Sequence, residues 1–403
     1  MNYLLLRLKR FCGFIAGFVF FIAGIFKLLD PVGAGLVMKE YMDFLHVGFL
    51  SAIAKPMAAG LAFLETLIGT ALVTGIWRRL TAIVALAFQT FFTLLTLALV
   101  IFNPEMDCGC FGEAMHLSHL ETFIKNIVLL LLLTAFAFPF RHLGGPKKHK
   151  YVSFGIVTAS VLAFAIHAWI SIPFVDYTAF KPAAALQAGS AFGSAEEDAY
   201  TAVFVYEKNG EVKEFSLDDL PDSTWNFVET KTKATDARES NSVSLSFYDE
   251  GGEYMDTLAV NGRVMIVSIY NPKVRASAWE RASKFLSLAE EEGFRPLLLV
   301  SSAPEEMDEI YAELPEYAET LRRYLYFSDY KTLVTMNRSN GGVTYFSDGY
   351  LVRKWSVRGR PDKTELYEIY HGDDTETIIG SDAMGSLAFQ GFILYVFAVM
   401  LLL

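Results

Sequence analysis

The alternation of apolar and polar stretches divides the chain before any single residue is considered. Long apolar runs cover residues 11–29, 53–76, 80–102, 121–140 and 151–172, and another extends from Ser386 to Leu403. A helix needs roughly 20 apolar residues to cross the hydrocarbon core, so each of the first five predicts a membrane span. The sixth is shorter and abuts the C-terminus, which leaves open whether it spans or lies in the interface. Between Val175 and Asp382 the pattern turns polar and acidic, long enough for one or two soluble domains. The first run follows Leu6-Arg7-Leu8-Lys9-Arg10 like a signal peptide, but no small-residue cleavage site follows it. It ends instead in Lys27-Leu28-Leu29-Asp30-Pro31, a helix stop, and reads as the first membrane helix.

Within the polar stretch the periodicity changes again. Thr201–Ser216 alternates around Lys208-Asn209-Gly210-Glu211, a hairpin signal, and 243–262 reads as further extended chain. From Arg263 the order becomes strand (264–270), helix (276–292), strand (295–301), helix (304–323), short strand (324–327), helical turn (330–337), a hairpin over Ser347-Asp348-Gly349, and a last helix (361–370). The domains expected are a four-helix membrane bundle over 1–145, a fifth membrane helix over 151–172, a β-rich segment over 176–262, an α/β domain over 263–375 and a hydrophobic helix over 385–403.

Composition and charge sharpen this picture. Of 403 residues, 53% are hydrophobic, and the mean hydropathy is +0.33, as expected of an integral membrane protein. The formal net charge of -11 argues against nucleic-acid binding, which needs a basic face. Basic residues concentrate in alternate loops: Arg7, Lys9 and Arg10 before helix one, Arg78-Arg79 after helix two, and Arg141, His142, Lys147, Lys148 and Lys150 after helix four. By the positive-inside bias these loops face the cytoplasm. Loops 30–52 and 103–120, and the polar domain, then face outward, the periplasm in a Gram-negative cell. The expected localisation is the inner membrane, multi-pass.

Chemistry concentrates in the third outer loop, Asp107-Cys108-Gly109-Cys110-Phe111-Gly112. The chain has only three cysteines, too few for a disulfide framework. Two thiols one residue apart close only a small, strained ring, and a strained, exposed disulfide suits exchange with another protein. Two other readings stay open. The cysteines can be structural, or they can join His116 and His119 as Cys-x-Cys-x5-His-x2-His in a zinc or copper site. Cys12 sits near the opposite end of helix one, too far away to take part. Glu65, near the middle of helix two, is an ionisable group at a costly depth. It either serves chemistry, binding a quinone or relaying protons, or fixes helix packing, with Gln89 on helix three as its expected hydrogen-bond partner. Lys27 is expected to snorkel to the surface. Gly13, Gly17, Gly24, Ala58, Ala59, Gly60 and Gly69 offer close helix packing.

Three segments carry a family resemblance: Ala23-Gly24-Ile25-Phe26-Lys27-Leu28-Leu29-Asp30-Pro31, Leu64-Glu65-Thr66-Leu67-Ile68-Gly69 with Gly75-Ile76-Trp77-Arg78-Arg79, and the Asp-Cys-Gly-Cys-Phe-Gly loop. In this order on four helices they resemble the DoxX/MauE group of membrane proteins, over about residues 10–140. The resemblance implies membrane redox chemistry linked to methylamine utilisation and to disulfide formation in a partner protein. It makes Cys108, Cys110 and Glu65 the candidate site residues, with an outer-side protein client as partner and no substrate specified. The element order after Arg263, with Arg338-Ser339-Asn340-Gly341-Gly342-Val343 and Lys354-Trp355, resembles membrane-tethered thioredoxin-like proteins. Where those hold Cys-x-x-Cys, this chain has Asn271-Pro272-Lys273-Val274-Arg275-Ala276-Ser277, and Gly341 stands at the position of the usual cis-proline. Without a thiolate the domain is expected to bind rather than react. The alternative for the whole chain is a non-catalytic envelope scaffold or transport module.

Overall fold

The computed structural model describes residues 3–104, 106–138, 148–187, 200–208, 211–215, 226–234 and 242–402, with backbone alone for 3–6 and for the three segments between 200 and 234. The chain forms two compact units. One comprises residues 1–178, 355–360 and 379–403; the other comprises 179–354 and 361–378.

The first unit is helical. Its elements are α1 (Tyr3–Leu29), α2 (Pro31–Phe44), a 3-10 turn (Gly48–Ile53), α3 (Ala54–Thr74), α4 (Arg78–Phe102), a short extended segment β1 (Cys110–Glu113), α5 (His119–Ala137), α6 (His149–Ile170) and most of a C-terminal helix (Asp374–Leu402). Among the described residues, six of its helices are long and apolar enough to cross a membrane. The expected helix stop holds: α1 ends at Leu29, and Asp30 caps α2 by accepting from the amides of Val32 and Gly33, with Pro31 in the first turn where a missing N–H costs nothing. Loop 30–52 is therefore largely helical, contrary to its reading as a loop. Its apolar positions are too few to register as a span, but they suffice to pack against the bundle.

The centre of the bundle is the α1–α3 crossing. A Cβ on Gly17 would lie 2.7 Å from the Cβ of Leu72 and 2.9 Å from the Gly69 carbonyl oxygen, so only glycine permits this approach. Gly60 has open space instead and plays no part in the packing. The C-terminal helix is a full span rather than a short surface segment. It starts at Asp374, where the Asp373 carboxylate accepts from the Thr375 amide at 2.7 Å, and runs on through Gly380 and Gly385. Lys150 Nζ donates to the Met400 carbonyl at 3.1 Å, Ser153 Oγ donates to Val399, and Phe164 stacks on Phe392. These contacts lay the helix antiparallel along α6.

One end of the bundle collects the basic residues. Lys9 donates to the Phe138 carbonyl, Arg10 acts on Arg78, and Trp77 meets the Tyr151 ring at 5.7 Å. The other end holds Asp30, Tyr41 and the Cys-Gly-Cys loop.

The second unit is an α/β fold. Its elements are β2 (Ala185–Leu186), β3 (Tyr200–Lys208), β4 (Glu211–Phe215), β5 (Asn226–Ala234), β6 (Ser242–Val243), α7 (Thr257–Val260), β7 (Arg263–Ile269), α8 (Ala276–Glu291), β8 (Arg295–Val300), α9 (Pro304–Glu313), α10 (Pro315–Tyr324), β9 (Leu325–Phe327), α11 (Tyr330–Met336), β10 (Gly342–Ser347), β11 (Tyr350–Trp355) and α12 (Lys363–His371). Seven strands form one mixed sheet in the order β6-β2-β11-β10-β7-β8-β9. Strands β7, β8 and β9 run parallel, and β10 returns antiparallel to β7 with Val343 opposite Val267. The parallel strands are buried on both faces, which is why their sequence reads as continuous apolar runs. The sheet takes β2 and β6 from before residue 263, joining segments whose sequence patterns look separate. The helix expected over 304–323 is two helices: Pro315 supplies no amide to the preceding turn, and the chain breaks at Leu314. Strands β3, β4 and β5 form a separate three-stranded sheet. The predicted hairpin pairs Lys208 with Glu211, although Asn209 and Gly210 themselves lie outside the described residues.

Candidate redox site and membrane cavity

The loop between α4 and α5 is held from several sides. Gly109 adopts φ +57°, and a Cβ there would stand 2.5 Å from Val37 of α2, so both backbone and space require glycine. Tyr41 of α2 donates to the Cys108 carbonyl at 2.9 Å. Burial, with both cysteines close by, pushes the Tyr41 phenol well above its ordinary range and keeps it a donor. Ser118 starts α5 with a reciprocal cap to Glu121, which fixes the first turn and with it His119.

Cys108 is buried, Cys110 is half-buried, and both are free thiols. The sulfur of Cys108 lies 2.9 Å from His119 Nδ1, while His119 Nε2 lies 3.0 Å from the Pro104 carbonyl oxygen. A carbonyl only accepts, so Nε2 carries a proton, and Nδ1 of the neutral ring is left to accept the Cys108 proton. Burial pushes the Cys108 thiol above its ordinary value, and Cys110 and Asp107 add to this, whereas Thr122 and Lys125 oppose it. The Thr122 hydroxyl beside this sulfur is fully buried and has no hydrogen-bond partner among the described residues, which leaves a donor for a thiolate. The arrangement is that of an activated nucleophile: a thiol, an adjacent base and a third group orienting the base. His119 was visible in the sequence only as a candidate metal ligand. Its pairing with Cys108 depends on the turn between them, which has no one-dimensional signature.

The metal constellation does not assemble. His116 turns outward, 3.8 Å from Asp107 Oδ2 and 4.0 Å from Glu113 Oε2, away from the pair formed by Cys108 and His119. Among the described residues no three His, Cys, Asp or Glu side chains are placed to share an ion.

Glu65 also differs from its expected setting. Its partner is Lys27, whose Nζ stands 2.6 Å from Glu65 Oε2, with both side chains largely buried. Lys27 does not snorkel, because at the end of α1 it faces the carboxylate across the α1–α3 crossing. Gln89 bonds elsewhere, donating to the Asn126 carbonyl at 3.1 Å, and Asn126 donates to Thr96 Oγ1 at 3.1 Å, a polar seam joining α4 to α5. Cys12 packs beside the apolar cluster of Ala16, Leu72 and Phe136, apart from the other two cysteines.

The thiol pair and the ion pair meet at one cavity of about 200 Å³. Its lining includes Lys27, Glu65, Tyr41, Cys108, Gly109 and Cys110, with Phe88, Phe91 and Phe92 on the apolar side. Lys27 and Cys110 lie within electrostatic reach of each other. The arrangement places two thiols and one buried ion pair around a mainly apolar cavity among the helices of the bundle.

Residues 2–139, about a third of the chain, match the family model of methylamine utilisation protein MauE. The membrane bundle is of MauE type. That match contains every residue of the cavity and the Cys-Gly-Cys loop. Outside the MauE-type region, residues 200–237 match a domain of unknown function (DUF8463), which takes in the three-stranded sheet. Neither a curated protein nor a solved structure matches the chain.

Proposed function

We propose that this MauE-type protein exchanges disulfides with envelope proteins through Cys108 and Cys110, on the outer side of the cytoplasmic membrane. The observation that carries the proposal is the Cys108–His119 pair with the imidazole fixed by the Pro104 carbonyl. In the oxidised form, a client thiolate attacks the more accessible Cys110 sulfur and the Cys108–Cys110 bond breaks. The electron pair leaves on Cys108, beside His119 and the Thr122 hydroxyl. A second client thiolate then attacks the mixed disulfide, releases Cys110 and leaves the client oxidised. The outward orientation rests on the gathering of basic residues at the opposite end of the bundle, near Arg10, Arg78 and Lys150.

In this reading the α/β unit selects clients without reacting with them. Its strand and helix order is compatible with a thioredoxin-like domain, and it contains no cysteine. At the β7–α8 loop, where a thiol pair would be expected, the Asn271 amide donates to Asn340 Oδ1 at 3.1 Å and Asn340 Nδ2 returns a bond to the Asn271 carbonyl at 2.9 Å. That clasp also favours a second reading, a scaffold in which the α/β domain only binds and the cysteines are structural.

Alkylation of intact cells with an impermeant thiol reagent, with and without prior mild reduction, separates the two. Exchange predicts that Cys110 becomes labelled only after reduction. In Cys108→Ser the lone Cys110 thiolate attacks disulfides of oxidised clients, expels one client thiolate and stays trapped in the mixed disulfide, with no Cys108 to release it. Cysteines that stay unlabelled after reduction support the scaffold.

A further inference from the structure

We infer that the cavity between α1, α2, α3 and α4 binds the ring of a lipid-soluble quinone, which takes the electrons of the Cys108–Cys110 pair. The inference rests on the exchange function proposed above and names its electron acceptor. Three observations fit together. The hole lies among membrane helices, and two of its lining residues, Phe91 and Leu45, are also among the exposed large apolar side chains, so its wall is reached from the lipid. Its volume of about 200 Å³ falls below the ~300 Å³ at which drug-sized pockets begin, which suits one substituted ring and excludes a flavin. Its polar groups are few: two thiols, the Tyr41 hydroxyl, the Lys27–Glu65 pair, and Thr96, whose hydroxyl is engaged with Phe92 and Asn126.

The aromatic side chains supply a stacking wall. Phe88 and Phe92 stand with ring centroids 4.7 Å apart, and Phe91 meets Phe92 edge-on at 5.2 Å. Lys27, held by Glu65, presents an ammonium donor where a ring oxygen gains negative charge on reduction. A purely structural ion pair has no need to line a hole that also contains two thiols. An ion pair of this kind is costly within membrane helices.

The step balances. Two S–H bonds break and one S–S bond forms between Cys108 and Cys110, so the thiols lose two electrons and two protons. The quinone gains both electrons, and its two ring oxygens gain both protons, giving the hydroquinone. The proton of Cys108 leaves through His119 Nδ1.

The test uses the full-length protein in lipid nanodiscs free of quinone, with the cysteines reduced and excess reductant removed. A short-chain ubiquinone is added, the loss of quinone absorbance is followed, and free thiols are counted by alkylation and mass spectrometry. The expected result is one quinone reduced per thiol pair lost. Leu61→Trp, which fills the cavity, is expected to slow the reaction by about tenfold or more, equivalent to 1.4 kcal/mol. Lys27→Met is expected to slow it and Lys27→Arg to retain it. Diamide, a small soluble oxidant, is expected to oxidise the pair in every variant, which shows that a slowed variant keeps reactive thiols, and an unchanged elution volume in size-exclusion chromatography shows that it is folded. If diamide oxidises the pair while ubiquinone leaves it reduced, the quinone inference falls and the exchange function stands. If neither reagent oxidises it, both fall. If Leu61→Trp and Lys27→Met react with ubiquinone at the parent rate, the thiols are oxidised elsewhere and the cavity assignment is overturned.

Discussion

The two units treat buried polar groups in opposite ways. In the α/β unit several such groups close local structural bonds. Asp256 accepts from the Phe247 amide at 2.8 Å, Asn337 Nδ2 donates to the Val343 carbonyl at 3.0 Å, and Tyr345 and Ser347 both donate to Asp374. These bonds fasten loops and helix ends to the sheet. In the membrane unit the polar groups of α1, α3 and the Cys-Gly-Cys loop converge on one cavity. Stability alone favours the first pattern, since a buried ion pair is costly. Under the proposed exchange function, the second pattern marks where stability is given up for chemistry.

This contrast can be broken in several places, beginning where the expected effect is largest. Cys110→Ser is expected to abolish client oxidation, whereas Asn271→Ala in the corresponding loop of the α/β unit leaves the chemistry intact. Redox states of envelope proteins in the two strains test this, and equal loss in both would place chemistry in the wrong unit. His119→Ala comes next. Removing a positioned base typically costs 10²–10⁴-fold, so alkylation of Cys108 should slow by about 10²-fold. The sign of the pH effect follows from burial, which already raises the Cys108 thiol. The reactive form is the thiolate, so the alkylation profile sits at high pH and moves further upward when His119 is lost. A profile that does not move would show that the 2.9 Å contact has no role in ionisation.

The ion pair gives a stability test. Lys27→Met leaves Glu65 buried without its partner, an expected loss of about 3–5 kcal/mol, while Lys27→Met with Glu65→Leu is expected to recover most of it. Unfolding in detergent, read as a double-mutant cycle, measures the coupling; additive single effects would mean that the pair is not an interacting unit. Smaller effects are expected from two loop substitutions. Gly109→Ala forces a side chain into positive φ and against Val37, at about 1–2 kcal/mol, and should also disturb thiol pairing. Asn340→Ala removes one side of the clasp with Asn271, at about 1 kcal/mol, and should leave thiol reactivity unchanged. The contrast between those last two variants is the finest test of the division between the units.

Much of the architecture was legible in one dimension because its cause is local. Spans follow from apolar runs, the α1 stop from Asp30-Pro31, and the strands β7 and β8 from residues buried on both faces. Errors arose where local rules meet tertiary packing. The segment 30–52 is polar enough to read as a loop, yet Asp30 caps it and the bundle supports it as α2. The C-terminal helix begins at Asp374, ahead of the apolar run, where Asp373 caps its first turn. Gln89 and Glu65 sit at matching depths on α4 and α3, but depth does not give azimuth, and each found another partner.

The candidate site divides along the same line. By itself the sequence determined that the thiols are Cys108 and Cys110, that glycine separates them, that Glu65 is an ionisable group within a span, and that the α/β domain has no thiol. These are matters of composition and spacing. Only the tertiary structure decided that His119 rather than His116 meets Cys108, that Lys27 turns inward to Glu65, and that both pairs border one cavity. The physical reason is that hydrogen bonds and ion pairs depend on distance and direction between side chains on different helices. Those are set by the close approach of α1 to α3 and by the turn after α4, and no pattern along the chain encodes them.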